Sequence, residues 1–532
     1  MGPRPKLFDF NAERASLIEA ASRLTIERKI AQAERGKSAG LEYVLNEAAY
    51  HEIERLVKYG ADDSIGEVGG LGFWRGVAKR VGAAGEGEKK RLLGSIVRSY
   101  MRDLAGNFDP KVYQFANRVL PVALGGLFNA QGLQSGRGLR KLSERIRIEG
   151  PLDTLRSLAD KGTFIVAPTH ISNLDSPVIG WALQEAGLPP VTYGAGKNLF
   201  SNQLLSFFMH NLGAYKVDRR IRHGLYKDCL KGYSEELLVR GFHSLFFPGG
   251  TRSRSGEVET RLKLGLLGTG LSAAQRLLKS GTGQGIYIVP MTLNFSLVLE
   301  ADGLINDHMR SVGKEYYLLP DDPFESPLEV ASFVMKLASM ETSAVIRLGE
   351  PMDVLGHRVG PDGRSYDRHG RPVDPATFFE VSPGELGPDA ARDREYTRET
   401  GEALVDALRD NTVVMPTQFV SYVLFEAARR RFPKLDLARV LRFGRDLHVP
   451  WDEVNAEASK VRDELLVHEK AGRVMLFEPL QTRSVPELID MGLRDLGSYH
   501  AVAAATATGQ GIQLGNMNLL CYYGNRLRCV LD

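Results

Sequence analysis

The chain has little of what extracellular and membrane-spanning proteins rely on. It holds three cysteines in 532 residues, Cys229, Cys521 and Cys529. They are scattered and odd in number, so reduced thiols in a cytosolic compartment are expected, without a disulfide framework or a zinc site. Net charge is only +3, a balance that gives no support to a whole-protein nucleic-acid role. No window reaches ~18 uncharged apolar residues, the length that spans a bilayer. The longest candidates, Val119 to Phe128 and Leu204 to Leu212, are both too short. The opening residues, MGPRPKLFDFNAER, lack the apolar run of a signal peptide. There is no internal repeat and no low-complexity tract. What remains is a globular composition, 43% hydrophobic and 25% charged, on a chain too long for one ordinary domain.

The pattern divides the chain. Residues 1–145 read as helical, interrupted by the Gly-rich stretches Gly60 to Gly72 and Gly82 to Gly87. Residues 146–356 alternate short apolar strands with helical segments: TFIVA, VTYGAG, SLFF, IYIVPMTL and SAVIRL are the strands. That alternation predicts an α/β domain with a mixed, largely parallel sheet flanked by helices. Residues 357–394 are rich in Gly, Pro, Asp and Arg and read as a hairpin or exposed excursion, then a linker. Residues 395–532 read as mainly helical. The N-terminal and C-terminal regions are thus expected to be helical around the α/β domain.

Chemistry concentrates in THISNLDSP, Thr169 to Pro177. The strand TFIVA stops at Pro168, and helical spacing starts at Leu174. His170 and Asp175, with four residues between them, would face different sides of a regular helix, where only i+3 and i+4 neighbours meet. They can meet only if the chain bends between them, and a strand-to-helix junction supplies that bend. The acid would then hold one ring nitrogen and leave the other as a base, the division of labour of the serine triad. No Ser or Cys nucleophile stands beside the pair, so the activated hydroxyl would be the substrate's own. Read alone, the pair is equally a helix cap beside a loop histidine.

FFPGGTRSRSG, Phe246 to Gly256, is the second block. Pro248, Gly249 and Gly250 force a turn where backbone amides can approach an anion. Thr251, Arg252, Ser253 and Arg254 follow, and arginine forks suit phosphate bidentately. A solvated basic loop is the alternative. GAYKVDRR, Gly213 to Arg220, adds Lys216, Arg219 and Arg220. GIYIVPMTLNFS, Gly285 to Ser296, is a strand with Pro290 near its middle, expected at an edge or at a bulge.

These blocks, in this order, resemble the glycerolipid acyltransferase family. The family's H-x-x-x-x-D falls on His170 and Asp175. Its glycine-led segment with an arginine pair falls on Gly213, Arg219 and Arg220. Its F-x-E-G-x-R-S-R falls on Phe247, Gly250, Arg252, Ser253 and Arg254, and its V-P strand on Val289 and Pro290. Val345 to Pro351 looks like the closing strand of the same domain. Asn411 to Phe425 looks like the helical tail of the glycerol-3-phosphate and dihydroxyacetone-phosphate branch.

The resemblance implies acyl transfer from acyl-CoA or acyl-carrier protein to the hydroxyl of glycerol 3-phosphate, the first step of phospholipid synthesis. Dihydroxyacetone phosphate and lysophosphatidate are the alternative acceptors, and an inactive lipid- or membrane-binding homologue is the rival of another class. On this reading His170 is the base and Asp175 its orienting acid. Backbone amides of the Pro248–Gly250 turn, or the helix start after Asn173, hold the oxyanion. Arg219, Arg252 and Arg254, with Lys197 or Lys216, hold the acceptor phosphate, and no metal or bound cofactor is required.

Where the family's third motif has a glutamate, this chain has Gly249, which removes a carboxylate from the acceptor site. Without a spanning segment, a protein handling lipid precursors would be cytoplasmic and peripherally associated with the cell membrane. Basic clusters would hold it there: Lys89, Lys90 and Arg91; Arg137, Arg140, Lys141, Arg145 and Arg147; Arg219, Arg220 and Arg222.

Overall fold

The computed structural model describes residues 5–35, 40–118, 146–172, 174–197, 200, 203–298, 300–311, 344–497, 500 and 502–531. Val119 to Phe128, Asn173 and the basic residues Arg137, Arg140, Lys141 and Arg145 lie outside them.

A seven-stranded sheet organises the chain: β1 (Ile146–Glu149), β2 (Gly162–Pro168), β3 (Thr192–Gly196), β4 (Ala214–Val217), β5 (Ser244–Leu245), β6 (Gly285–Phe295) and β7 (Ala344–Leu348). Their spatial order is β1-β7-β6-β2-β5-β3-β4. Every neighbouring pair is parallel except β6 with β7. This is the expected mixed, largely parallel α/β sheet. On β2, Phe164 and Val166 join one core while Ile165 and Ala167 join the other. Both faces are covered, so the strand reads as an unbroken apolar run.

The structure decides between the two expectations for Pro290. β6 is no edge strand, since β2 and β7 flank it. The bulge is there instead. Met291 pairs with Leu348, but Ile288 bridges to Met352, a slip of one residue in the antiparallel register. Pro290 sits at that slip, where its missing N–H breaks no regular ladder bond, while its carbonyl accepts the Gly349 N–H at 2.8 Å.

The N-terminal helices Phe10–Glu34, Leu41–Tyr59, Leu71–Arg80 and Glu86–Leu104 share one core with the sheet-domain helix Gly224–Val239. Arg28 forks onto Glu235 at 2.6 and 2.8 Å across that contact. Residues 357–394 hold a three-stranded antiparallel sheet, Arg358–Val359, Ser365–Tyr366 and Pro372–Val373, and the pair Glu380–Ser382 with Glu385–Leu386. Beyond them lie helices and some short strands, His448–Pro450, Ala505–Ala507 and Gly511–Leu514 among them. The helices Pro416–Arg431 and Met517–Leu531 bury their apolar sides in the core that covers one face of the sheet. Among the described residues no helix is long and apolar enough to cross a membrane.

Candidate active site

β2 lies between β6 and β5 in the sheet. Thr169 stays tied to β6: its N–H reaches the Met291 carbonyl at 2.9 Å, and its hydroxyl accepts the Leu293 N–H at 3.0 Å. The next residue, His170, leaves the sheet. The chain then bends into the helix Asp175–Glu185. The Nδ1 of His170 lies 2.7 Å from the Oδ2 of Asp175. The same oxygen accepts the N–H of Ile171 at 2.7 Å and of Ser172 at 3.0 Å. Asp175 is fully buried and the His170 side chain is 20% exposed. Asp175 therefore shapes the bend and orients the ring, and Nε2 is the nitrogen left for chemistry.

The Phe246–Gly256 loop wraps His170. Phe247 stacks on the imidazole with ring centroids 4.0 Å apart. Ser253 donates its N–H to the His170 carbonyl at 2.7 Å. Arg252 lies 3.8 Å from Glu300, which also accepts from the Ser172 hydroxyl at 3.0 Å. Arg254 is further out, 3.9 Å from Asp307. Thr251 is exposed.

Gly250 has φ +76°, a left-handed conformation that favours glycine. Its N–H donates to the Phe247 carbonyl at 2.9 Å within the turn. That amide is spent on the turn, so the expected oxyanion role does not fall to Gly250.

The other predicted contacts divide. Arg219 donates to the Gly250 carbonyl at 3.1 Å, so it lies against the arginine loop. Arg220 stands over the Tyr59 ring at 5.2 Å, on the N-terminal helical region. Lys197 is bound by Asp62 at 2.7 Å, Ser64 at 2.7 Å and Asp103 at 3.0 Å. Lys216 reaches Asp103 at 3.3 Å. The two lysines do converge, but on carboxylates of the N-terminal region that offset their charge. Pro290 lies inside β6, opposite Ala167. Of the basic clusters, Lys89 pairs with Glu42 at 3.0 Å and Lys90 with Glu34 at 3.1 Å.

One comparison bears on the region that holds this geometry. The Acyltransferase family model matches residues 145–294. A solved structure, the 1-acyl-sn-glycerophosphate (LPA) acyltransferase PlsC from Thermotoga maritima, is similar at 16% identity and a TM-score of 0.26. The match covers 69% of this chain and 97% of that one. The likeness is too loose for a residue-level comparison.

The site is completed by groups that motif reading missed. Glu259 accepts the His170 N–H at 2.9 Å. Burial pushes its carboxyl above the usual glutamate range, against the pull of the His170 N–H and the Arg526 charge. Tyr522 and Arg526, from the helix Met517–Leu531, line a small cavity with Ile171, Ser253 and Gln418. Arg526 is 3% exposed, and its Nε has no partner among the described residues. The same helix clamps the arginine loop. Asn525 donates to the Ser255 carbonyl at 2.8 Å. A Cβ on Gly256 would fall 1.9 Å from the Tyr522 carbonyl oxygen.

Proposed function

We propose that the protein transfers a fatty acyl group from acyl-CoA or acyl-carrier protein to the primary hydroxyl of glycerol 3-phosphate. The carrying observation is the contact of His170 with Asp175 beside Arg252. His170 Nε2 takes the hydroxyl proton as that oxygen attacks the thioester carbonyl. The tetrahedral intermediate collapses, the carbon–sulfur bond breaks, and the imidazolium returns the proton to the leaving thiolate. Ester and free thiol are the products. General-base help of this kind contributes roughly 10²–10⁴-fold.

Arg252 and Arg254 sit on the loop that wraps the base, with Arg219 against its turn, which supports a phosphorylated acceptor. Lys197 and Lys216 act through Asp103 to join the N-terminal region to the β3–β4 side of the sheet. Basic surface residues would dock the protein on anionic membrane, where its product belongs.

The test is an acceptor panel with purified protein: glycerol 3-phosphate, dihydroxyacetone phosphate and lysophosphatidate, each with an acyl-CoA and with acyl-carrier protein. Fastest transfer to glycerol 3-phosphate is expected. Preference for lysophosphatidate would move the assignment to that neighbouring activity. Absence of thioester release with every acceptor would favour a lipid-binding homologue.

A further inference from the structure

The His170 peptide stands at a junction that the sheet does not serve. Thr169 makes the last β2 contact to β6, and the next N–H, on the base itself, points to the Phe246–Gly256 side. Glu259 meets it there at 2.9 Å through Oε1. Its other oxygen, Oε2, is buried without a partner among the described residues. A carboxylate kept in that state holds something worth its burial, and what it holds is the backbone of the base.

Gly249 shows where this side chain comes to lie. A Cβ built on Gly249 would fall 2.8 Å from Glu259 Cγ and 3.4 Å from Glu259 Oε1. Glu259 therefore fills the volume a side chain at 249 would enter. Gly249 is not among the glycines with positive φ, unlike its neighbour Gly250, so its backbone admits an L side chain. A glutamate's oxygens lie three bonds from its Cβ, a span of roughly 3 to 3.5 Å for bonds near 1.5 Å. A glutamate at 249 would thus bring its carboxylate to the point that Glu259 Oε1 occupies. An aspartate, one bond shorter, would not.

We infer that Glu259 is the positioning residue of the base: it holds the His170 peptide from the space left open by Gly249. The inference rests on the reading of His170 as the general base.

The experiment moves the carboxylate to position 249. Glu259→Ala should lower kcat by roughly tenfold to a hundredfold, the scale of a misplaced reacting group, with acceptor KM nearly unchanged. Glu259→Gln retains an oxygen for the His170 N–H and should stay within a few-fold of the parent protein. Gly249→Glu combined with Glu259→Ala should regain most of the lost kcat, and Gly249→Asp with Glu259→Ala should not.

A second readout needs no turnover: the His170 backbone amide resonance in protein isotope-labelled only at histidine, assigned by its loss in His170→Gln. It should shift upfield in Glu259→Ala and return in the Gly249→Glu, Glu259→Ala pair. If the parent protein transfers no acyl group, the functional reading fails and the amide readout still judges Glu259. Parent-like kcat and an unmoved amide in Glu259→Ala would overturn the inference. So would a folded double variant that recovers neither. Should Glu259→Ala not fold, the double variant alone decides.

Discussion

Asp175 Oδ2 receives the His170 ring nitrogen and the Ile171 amide at the same 2.7 Å. One oxygen thus sets both the tautomer of the base and the bend that aims it. His170→Ala should lower kcat by roughly a hundredfold or more while acceptor KM hardly moves. Asp175→Asn keeps an acceptor for the amides but no longer stabilises an imidazolium. Its kcat should fall by a similar order, with the protein still folded by circular dichroism. Steady-state kinetics with varied acceptor checks both. Parent-like turnover in His170→Ala would remove the dyad from the mechanism.

Arg252 reports on binding rather than on chemistry. Loss of a charge-assisted contact costs about 1.5–3 kcal/mol. Arg252→Ala should therefore raise acceptor KM by roughly tenfold to a hundredfold, with a smaller effect on kcat. Arg254→Ala, further out beside Asp307, should do less. Equal losses of kcat and kcat/KM in Arg252→Ala would mean that its contact forms only in the transition state.

Acid stability should depend on His243. Burial holds its pKa down at about 4, and its Nδ1 accepts the Phe164 N–H at 2.9 Å. Between pH 6.5 and 4 the unfolded chain takes a proton there that the folded protein refuses. Stability is therefore complete above pH 6.5 and falls as pH drops through that window, by about 3 kcal/mol for this one group. Denaturant titrations at pH 7 and pH 4.5 measure it. In His243→Asn the drop between the two should shrink, even if the variant is weaker at both.

Glu259 gives the opposite sign. Its carboxyl is raised by burial, so the folded protein keeps a proton that the unfolded chain releases, and stability falls as pH rises through the folded value. Glu259→Gln carries no such penalty. Its midpoint in urea should gain on the parent protein's at pH 8 relative to pH 4. A variant that loses ground on the parent protein with rising pH would contradict the raised carboxyl.

Gly256 has φ +82° and almost touches the Tyr522 carbonyl. Gly256→Ala adds backbone strain to a clash with main chain, so a loss of about 2 kcal/mol or more is expected. Thermal melts check this, and kcat should fall with the stability because the same loop cradles His170.

The dyad was legible because its two residues sit within one short loop between an apolar strand and an amphipathic helix, where local spacing carries the geometry. The arginine loop was legible for the same reason. Glu259 was not, since no periodicity marks a residue whose task is to meet an amide far away in the chain. The signal was there as a gap, the glycine at 249 where a carboxylate was expected. Lys197 and Lys216 show the complementary error. Their charge was visible, but Asp62 and Asp103, which pair with them, lie in a helical region read separately. Pro290 left an edge and a bulge both open, because the register slip that decides for the bulge lies in the pairing with β7 and not in the strand's own residues. The short C-terminal strands hold too few residues to show a period.

The clamp of Asn525 on the Ser255 carbonyl joins residues 270 positions apart. The two halves of that contact are made at different moments of synthesis. A nascent chain can lay down the whole sheet and the His170–Asp175 bend while the helix that braces the arginine loop is still untranslated. The ribosome thus delivers every residue of the sheet before the brace. An interruption between β7 and Asn525 would remove this brace from the arginine loop.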